Sequence, residues 1–151
     1  MNIGFIGLGN IGAPMAENLT AAGLNVTGYD PAGVTAKDVA IVSSAAQAAK
    51  NADIVITMLP NGDILRAVAD EIIPSMAVGA TFLDCSTVDV ESARQVAEKA
   101  TAAGLLQLDA PVSGGVGGAS AGTLTFMVGG SEAGFAAAKS GFDIMGQKAV
   151  H

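Results

Sequence analysis

The segment Gly7-Leu8-Gly9-Asn10-Ile11-Gly12 places glycines at the spacing G-x-G-x-x-G. An apolar run, Asn2–Ile6, precedes it, and a helical pattern begins within it. In such a turn the first glycine permits a tight bend, the second lets a phosphate approach the backbone, and the third lets helix and strand pack closely. The helix start also offers free N–H groups and a partial positive charge. We therefore expect Gly7 through Gly12 to bind the pyrophosphate of a dinucleotide; the alternative is a structural glycine turn in another α/β protein.

Asp30 is the next residue with a chemical signal, because it follows the glycines by about 20 residues and ends the second predicted strand. A carboxylate at this position accepts hydrogen bonds from the adenosine ribose hydroxyls. It also repels a 2′-phosphate, and no Arg lies near it in the sequence to receive one. We therefore expect NAD rather than NADP. The alternative is a solvated Asp that starts a turn before Pro31.

Two further turns follow predicted strands, and ligands of parallel α/β sheets bind at the carboxyl ends of strands. Met58, Leu59 and Pro60 end the fourth strand, with Ile64 one helical turn beyond. Thr87 follows the next strand, where it could contact ribose or nicotinamide. We expect all of these residues to flank the cofactor. The alternatives are core packing for Met58 and Ile64, and an N-cap of the next helix for Thr87.

The segment from Asp109 to Ala119 is rich in glycine and contains Ser113-Gly114-Gly115. Consecutive glycines after a hydroxyl residue can form a nest of backbone N–H groups that binds anions. Ser113 adds a hydroxyl donor. We therefore expect Ser113, Gly114 and Gly115 to bind a small carboxylate substrate, whereas Asp109 is expected to cap a strand end.

Alternating strand and helix patterns must position these residues. The predicted strands are Asn2–Ile6, Leu24–Tyr29, Val39–Val42, Asp53–Leu59, Thr81–Asp84, Leu105–Leu108 and Leu124–Val128, with a Gly-rich loop before the last one. The predicted helices are Asn10–Ala22, Ser43–Lys50, Gly62–Ile73, Val90–Ala103 and Ser131–Lys139, and Lys148–His151 could start one more strand. Strands separated by such helices require crossovers, so the pattern predicts an α/β domain with a doubly wound, mostly parallel sheet and helices on both faces.

Composition narrows the possible partners. The chain has 151 residues, 50% of them hydrophobic, and a formal net charge of −7, so it should repel nucleic acid. Its apolar runs are too short to span a membrane, and its only His is His151, so no metal site is expected. Cys85 is the one cysteine; it fits a reducing compartment and is expected to be a small buried residue. Met1 leads almost directly into a strand, which leaves no room for a targeting peptide and favours the cytoplasm.

Taken together, the motifs resemble the β-hydroxyacid dehydrogenase family over the whole chain. The matching segments are Gly4–Gly12 with Pro14-Met15-Ala16, Ile56–Pro60, Asp84 with Ser86-Thr87, Asp109–Gly115 and Thr123–Gly130. The resemblance implies a Rossmann-type fold and reversible hydride transfer between NAD and the hydroxyl-bearing carbon of a short 3-hydroxy acid. Within the family, Val116-Gly117 is most similar to the members that oxidise 3-hydroxyisobutyrate to methylmalonate semialdehyde in valine breakdown.

The resemblance also implies roles for individual residues. Ser113, Gly114 and Gly115 match substrate positions, and Thr87 with Leu59-Pro60 matches cofactor contacts. The family's catalytic Lys lies in a K-x-x-N pattern that has no match in this sequence, so no catalytic residue is expected here and Lys148 is expected to lie at the surface. The all-helical second domain, which covers the substrate and builds a homo-oligomer, is also expected to be absent. Residues 1–151 are thus expected to form one NAD-binding domain that is inactive alone.

The segment between Asp30 and Ser43 departs from the family because it is several residues shorter than usual. We expect the second crossover helix to be reduced to a turn, which would leave that edge of the sheet poorly covered. Two other functions stay open: a reductase of tartronate, glyoxylate or succinic semialdehyde, and a non-catalytic dinucleotide-binding module.

Overall fold

Strands and helices alternate along residues 1–151, all of which the computed structural model describes. The strands are β1 (Asn2–Ile6), β2 (Asn25–Tyr29), β3 (Ala40–Ile41), β4 (Ile54–Thr57), β5 (Thr81–Asp84), β6 (Leu106–Asp109), β7 (Val112–Ser113), β8 (Leu124–Met127), β9 (Gly129–Gly130) and β10 (Gly146–Val150). The helices are α1 (Gly12–Ala21), α2 (Ala45–Ala49), α3 (Gly62–Ile72), α4 (Val90–Ala102), α5 (Gly115–Ala121) and α6 (Glu132–Met145). Pro74 lies in a short 3-10 turn, Ile73–Ser75, that ends α3.

The central sheet has seven strands in the order β3-β2-β1-β4-β5-β6-β9. Its first six strands are parallel, and β9 pairs with β6 in the antiparallel direction. The chain builds outward from β1 through β2 to β3, then crosses back so that β4 lies on the other side of β1. The carboxyl ends of β1 and β4 therefore bound the crevice where such sheets bind their ligands. The predicted doubly wound, mostly parallel α/β fold is confirmed.

Helices cover both faces of this sheet, which explains why β4 and β5 are buried along their whole length. Side chains alternate along β1, so that Phe5 packs into one hydrophobic cluster and Ile6 into the other. The first cluster includes residues of α1 and α6: Met15, Ala16, Leu19, Ala138, Phe142 and Met145. The second includes residues of α2, α3 and α4: Ala45, Ala48, Leu65, Val68, Ala69, Val96 and Ala100. None of the helices is long and apolar enough to cross a membrane.

The region after β6 differs from the prediction. The strand expected at Leu124–Val128 is β8, but it lies in a separate three-stranded sheet of order β10-β8-β7. The expected Gly-rich loop contains a helix, α5, whose Ala119 is buried against the core. Glycine lowers the helical propensity of the segment, and tertiary packing overrides that local preference. The C-terminal residues form β10, which runs parallel to β8.

The segment between β2 and β3 contains no helix, as its short length predicted. The predicted strand Val39–Val42 is reduced to the exposed pair Ala40–Ile41, since the Val39 N–H bonds to the Ala36 carbonyl in a turn at 3.4 Å, while the Val39 side chain is buried in the core. The Lys37 N–H donates to Glu17 Oε2 at 2.9 Å, which joins this segment to α1. This crossover therefore lies as a loop over the edge of the sheet.

Two helix boundaries also differ from the prediction. Ser44, not Ser43, is the N-cap of α2, with its hydroxyl accepting from the Gln47 N–H at 3.1 Å. Ser43 instead donates to the Gln47 side chain. Helix α6 continues past Lys139 to Met145, because Phe142 and Met145 extend its buried stripe in spite of Gly141.

Candidate functional site

A cavity of about 450 Å³ opens at the carboxyl ends of β1, β2 and β4. Pocket volumes of this size are usual for small-molecule sites. The predicted cofactor residues on its wall are Gly7, Gly9, Asn10, Ile11, Gly12, Asp30, Met58, Leu59, Pro60 and Ile64. Pro31, Ala32 and Val34 complete the lining, and they were not predicted because small and apolar residues after an acid carry no distinctive pattern. The structure thus brings residues from three separate stretches of the chain together.

The first glycine of the turn is fixed by its contact with β4. Gly7 has φ +104°, in the region that favours glycine, and a Cβ there would overlap the carbonyl oxygen of Met58. Its N–H donates to the Tyr29 carbonyl at 3.0 Å. The end of β1 is therefore held directly against both neighbouring strands.

The other two glycines have different surroundings. A Cβ on Gly12 would overlap the carbonyl oxygen of Gly7, so the start of α1 packs directly on the end of β1. A Cβ on Gly9 would meet nothing within 4 Å, and Gly9 is exposed on the cavity wall. Packing within the chain therefore requires glycine at 7 and 12 but not at 9. The open space beside Gly9 is what close approach of a phosphate to the backbone would need.

Asp30 connects the end of β2 with the glycine turn. Its Oδ2 accepts from the Leu8 N–H at 2.6 Å, and its Oδ1 accepts from the Ala32 N–H at 2.7 Å. Asp30 also lines the cavity, so its remaining lone pairs are available to a ligand. The Leu8 side chain is buried in the core and its amide is committed to Asp30, so Leu8 lies behind the cavity wall.

A buried polar network holds the second turn in place. The Thr57 hydroxyl donates to Asp84 Oδ1 at 2.8 Å, and the Ser86 N–H donates to the same oxygen at 3.0 Å. The Ser86 hydroxyl accepts from the Leu59 N–H at 2.8 Å. This network, which we call the Asp84 brace, joins the end of β4 to the end of β5 and supports Leu59 at the cavity wall.

Sequence reasoning missed the Asp84 brace, although an Asp that ends an apolar strand and is followed by Ser was a usable signal. Asp84 is 1% exposed. Burial raises the pKa of its carboxyl from 3.8 to about 6, and the hydrogen bonds from Ser86 and Thr57 oppose that rise only in part. Burial also raises the pKa of Asp109, which lies opposite Asp84 on β6.

Thr87 lies outside the cavity and is exposed. The alternative role as helix N-cap is wrong, because Asp89 caps α4 by accepting from the Ser92 N–H at 3.0 Å. Thr87 stands between the Asp84 brace and that cap, at the carboxyl end of β5. Its predicted contact with the cofactor stays a prediction.

The predicted substrate residues lie at the end of β7 and the start of α5. Ser113, Gly114 and Gly115 are all exposed, and none of them lines the cavity. Gly114 has φ +136° and Gly115 has φ +65°, so both have a backbone conformation that L side chains rarely adopt. We call these three residues the Ser113 turn.

The remaining reactive side chains lie away from the cavity. Burial raises the pKa of the Cys85 thiol, which makes this cysteine a poor nucleophile and fits the expected role of a small buried residue. His151 stacks on Phe135 with ring centroids 4.7 Å apart. Lys148 is exposed on β10.

Comparison with known proteins places this arrangement among cofactor domains. The family model described as the NAD-binding domain of 6-phosphogluconate dehydrogenase matches residues 2–151. A Mycobacterium bovis protein named probable 3-hydroxyisobutyrate dehydrogenase is 47% identical over 99% of this chain and 52% of its own length. A Pseudomonas aeruginosa protein named NAD-dependent L-serine dehydrogenase is 42% identical over 99% of this chain and 53% of its own length.

A solved structure supports the same comparison. It is described as Mycobacterium tuberculosis 3-hydroxyisobutyrate dehydrogenase with L-serine, and it matches with a TM-score of 0.93 and 44% identity. The match covers 99% of this chain and 53% of that one. The chain therefore spans about half the length of the relatives it matches.

The contrast between Gly9 and Gly12 yields a prediction. Gly9→Val should leave the free energy of unfolding within about 0.5 kcal/mol, since the position is exposed and open, yet it should weaken dinucleotide binding about 100-fold or more, which is ~3 kcal/mol. Gly12→Val should destabilise the fold itself by about 3 kcal/mol or more, because backbone atoms would have to move. Urea unfolding and calorimetric titration with NAD measure both effects. Unchanged NAD binding by folded Gly9→Val would show that the turn is only structural.

The Asp84 brace yields a prediction about pH. Because the folded-state pKa of Asp84 exceeds its ordinary value of 3.8, its contribution to stability is complete below 3.8 and is lost as the pH rises through about 6. At about 1.4 kcal/mol per pKa unit the whole contribution is ~3 kcal/mol, of which about 2.5 kcal/mol is lost between pH 4 and pH 7. Asp84→Asn should remove this loss, so its free energy of unfolding relative to the wild type should rise across that interval. Asp143→Asn, at an exposed position of α6, serves as the control. A constant difference between Asp84→Asn and the wild type would contradict the assignment.

Proposed function

The chain belongs to the family of NAD-binding domains described for 6-phosphogluconate dehydrogenase, the cofactor domain of β-hydroxyacid dehydrogenases, and from that premise we propose that it is the cofactor-binding half of an NAD-dependent dehydrogenase of short 3-hydroxy acids. The preferred substrate is 3-hydroxyisobutyrate, which would be oxidised to methylmalonate semialdehyde in valine breakdown. The observation that carries the proposal is the cavity at the β1–β4 crevice, where Gly9 faces open space and Asp30 lines the wall. The names of the similar proteins support the choice of substrate.

Each part of the cavity suits one part of a dinucleotide. The N–H groups of Asn10, Ile11 and Gly12, which have no backbone acceptor, would bind the pyrophosphate beside Gly9. Asp30 would accept from the ribose hydroxyls. Val34 and Ile64, both on the cavity lining, would offer apolar contacts to the adenine ring. We propose that the other predicted residues, in the glycine turn and at the carboxyl ends of β4 and β5, also contact the cofactor.

The choice of NAD over NADP rests on charge. A 2′-phosphate on the ribose would face the Asp30 carboxylate, and the cavity lining contains no Lys or Arg to offset the repulsion. The negative charge of Asp30 therefore favours NAD, which lacks the 2′-phosphate.

The Ser113 turn would orient the substrate carboxylate by its backbone N–H groups and the Ser113 hydroxyl. Bound NAD would supply the acceptor for the hydride that leaves the hydroxyl-bearing carbon, and the hydroxyl proton would pass to a general base. Asp84 and Asp109 are the last residues of β5 and β6. No residue of this chain matches the family's Lys. We therefore place the base outside residues 1–151, and we expect the longer protein to be a homo-oligomer.

L-Serine is the second candidate substrate. It is also a 3-hydroxy acid, and it appears both in the name of a 42% identical relative and with the 44% identical solved structure. The Ser113 turn recognises a carboxylate in either case, so substrate choice depends on what contacts the group at C2. A cytoplasmic location completes the proposal, because the lone Cys85 is a buried free thiol and such thiols persist in reducing compartments.

Cofactor choice is testable on this chain. We expect NAD to bind at least about tenfold more tightly than NADP, equivalent to ~1.4 kcal/mol. Asp30→Asn should narrow the ratio of the two dissociation constants by removing the charge while keeping an acceptor for the Leu8 N–H. Asp143→Asn, which makes the same charge change away from the cavity, should leave the ratio unaltered. Calorimetric titration of the three proteins with both cofactors measures this, and equal or tighter binding of NADP to the wild type would refute the claim.

Catalysis gives the second test of the proposed function. Residues 1–151 should bind NAD yet reduce it negligibly with 3-hydroxyisobutyrate or L-serine, since a positioned general base contributes ~10²–10⁴-fold and this chain offers none. The assay follows NADH absorbance at saturating NAD. Robust turnover would place the base within these residues, and Lys148→Met would then be the first variant to examine.

A further inference from the structure

Asn18 links the helix that follows the glycine turn to the helix that follows the Ser113 turn. It lies in α1, and its side-chain Nδ2 donates to the Ala119 carbonyl at 2.8 Å and contacts the Ser120 carbonyl at 3.4 Å. Both acceptors belong to the last turn of α5, about a hundred residues away in the chain. The bond therefore joins two elements that the proposed function assigns to the cofactor and to the substrate.

Helix α5 depends on such contacts because its own sequence has a low helical propensity. It has seven residues, GVGGASA, of which Gly115, Gly117 and Gly118 are glycines. Glycine is among the least favourable residues in a helix, and helices this short do not persist alone. The position of α5 is therefore decided by what touches it.

The contacts that fix α5 are concentrated at its C-terminal end. Gly122 is in the left-handed conformation and its N–H donates to the Ala119 carbonyl at 3.4 Å, while the Thr123 N–H donates to the Gly118 carbonyl at 2.9 Å. Ala119 is buried in the core. Among these contacts, only the bond from Asn18 comes from a side chain of another helix.

The chemistry of Asn18 suits this role. Its side chain is half-buried and presents an amide N–H to the Ser120 carbonyl and to the Ala119 carbonyl, which the Gly122 N–H reaches only at 3.4 Å. A carboxylate of the same shape would present an oxygen to those oxygens. The identity of the donor, rather than the volume of the side chain, is therefore what the site requires.

We propose that Asn18 is a positioning residue that holds α5, and with it the Ser113 turn, in a fixed place relative to the start of α1. The assignment of the Ser113 turn to substrate rests on the proposed function, whereas the mechanical link does not. Helix α1 carries the glycine turn at one end and Asn18 further along, so one rigid element sets both sites.

Amide hydrogen exchange measured by NMR tests this link in the 151-residue chain. The variants are Asn18→Asp, which keeps the shape and loses the donor, and Asn18→Gln, which keeps the donor on a longer side chain. Asn25→Asp is the matched control. It makes the same chemical change at an exposed position, where the side-chain partner of Asn25 is the Asn2 side chain.

In Asn18→Asp, we expect exchange at Ala119–Thr123 to accelerate about tenfold or more, as for the loss of a hydrogen bond to a partly buried carbonyl. Amide chemical shifts of Gly114 and Gly115 should move in the same variant. Exchange in β1 and β4 and the dissociation constant for NAD should stay within about twofold, because the start of α1 is untouched. Asn18→Gln should restore part of the protection, and Asn25→Asp should change neither the α5 amides nor the two glycine shifts.

Unchanged exchange in α5 of Asn18→Asp would overturn the proposal, and so would an equal acceleration across α5 and the central sheet, which would make Asn18 a general stabilising residue. Failure of the wild-type chain to bind NAD would contradict the proposed function instead, and the exchange comparison would still decide the role of Asn18.

Discussion

Direct contact between backbones at the β1–β4 crevice is the constraint on which the rest of the structure depends. Gly7 lies against the Met58 carbonyl and Gly12 lies against the Gly7 carbonyl, in both cases with no room for a Cβ. These contacts bring the ends of β1 and β4 together and start α1 at that point. The helix therefore begins at the mouth of the cavity, where its partial charge and the unbonded N–H groups of Asn10, Ile11 and Gly12 can act on an anion. Gly9 is free of such contacts, so its lack of a side chain serves the cavity rather than the fold.

Two other links, the Asp84 brace and Asn18, connect the β1–β4 crevice to neighbouring elements. The Asp84 brace ties the end of β4 to the end of β5 through buried hydrogen bonds. It does so at a cost in stability above pH 6, because a carboxylate is held out of water. Asn18 carries the position of α1 to α5, a helix with little stability of its own. The geometry of the site thus depends on a few polar groups. Burial of the Asp84 carboxylate is unfavourable, and Asn18 bonds to a helix with little stability of its own.

The sequence patterns that predicted the fold correctly are those set by local physics. Apolar runs such as Ile54–Thr57 must be buried on both faces, and the glycine spacing at Gly7–Gly12 requires a turn between strand and helix. Helix α5 was missed because its glycines argue against a helix; the burial of Ala119, the bonds from the Gly122 and Thr123 N–H groups and the bond from Asn18 overcome that preference. The separate sheet of β7, β8 and β10 was missed because short strands carry no information about their partners. The Asp84 brace depends on three side chains from two strand ends, which no single stretch of sequence reveals.

The site divides into a cavity and an exposed part, and this division follows from topology. The strands around the β1–β4 crevice meet α1 and α3 at their ends, so the cavity there has walls on several sides. The end of β5 and the Ser113 turn lie farther along the edge, and Thr87, Ser113, Gly114 and Gly115 are exposed. Under the proposed function, the cavity would hold the cofactor's adenosine and phosphates, and the expected place of reaction is exposed to water. Hydride transfer favours a site from which water is excluded. Because the relatives that share this half are about twice as long, the proposed function requires the exposed side to be completed by groups outside these 151 residues, while it assigns the cofactor to the cavity that these residues form by themselves.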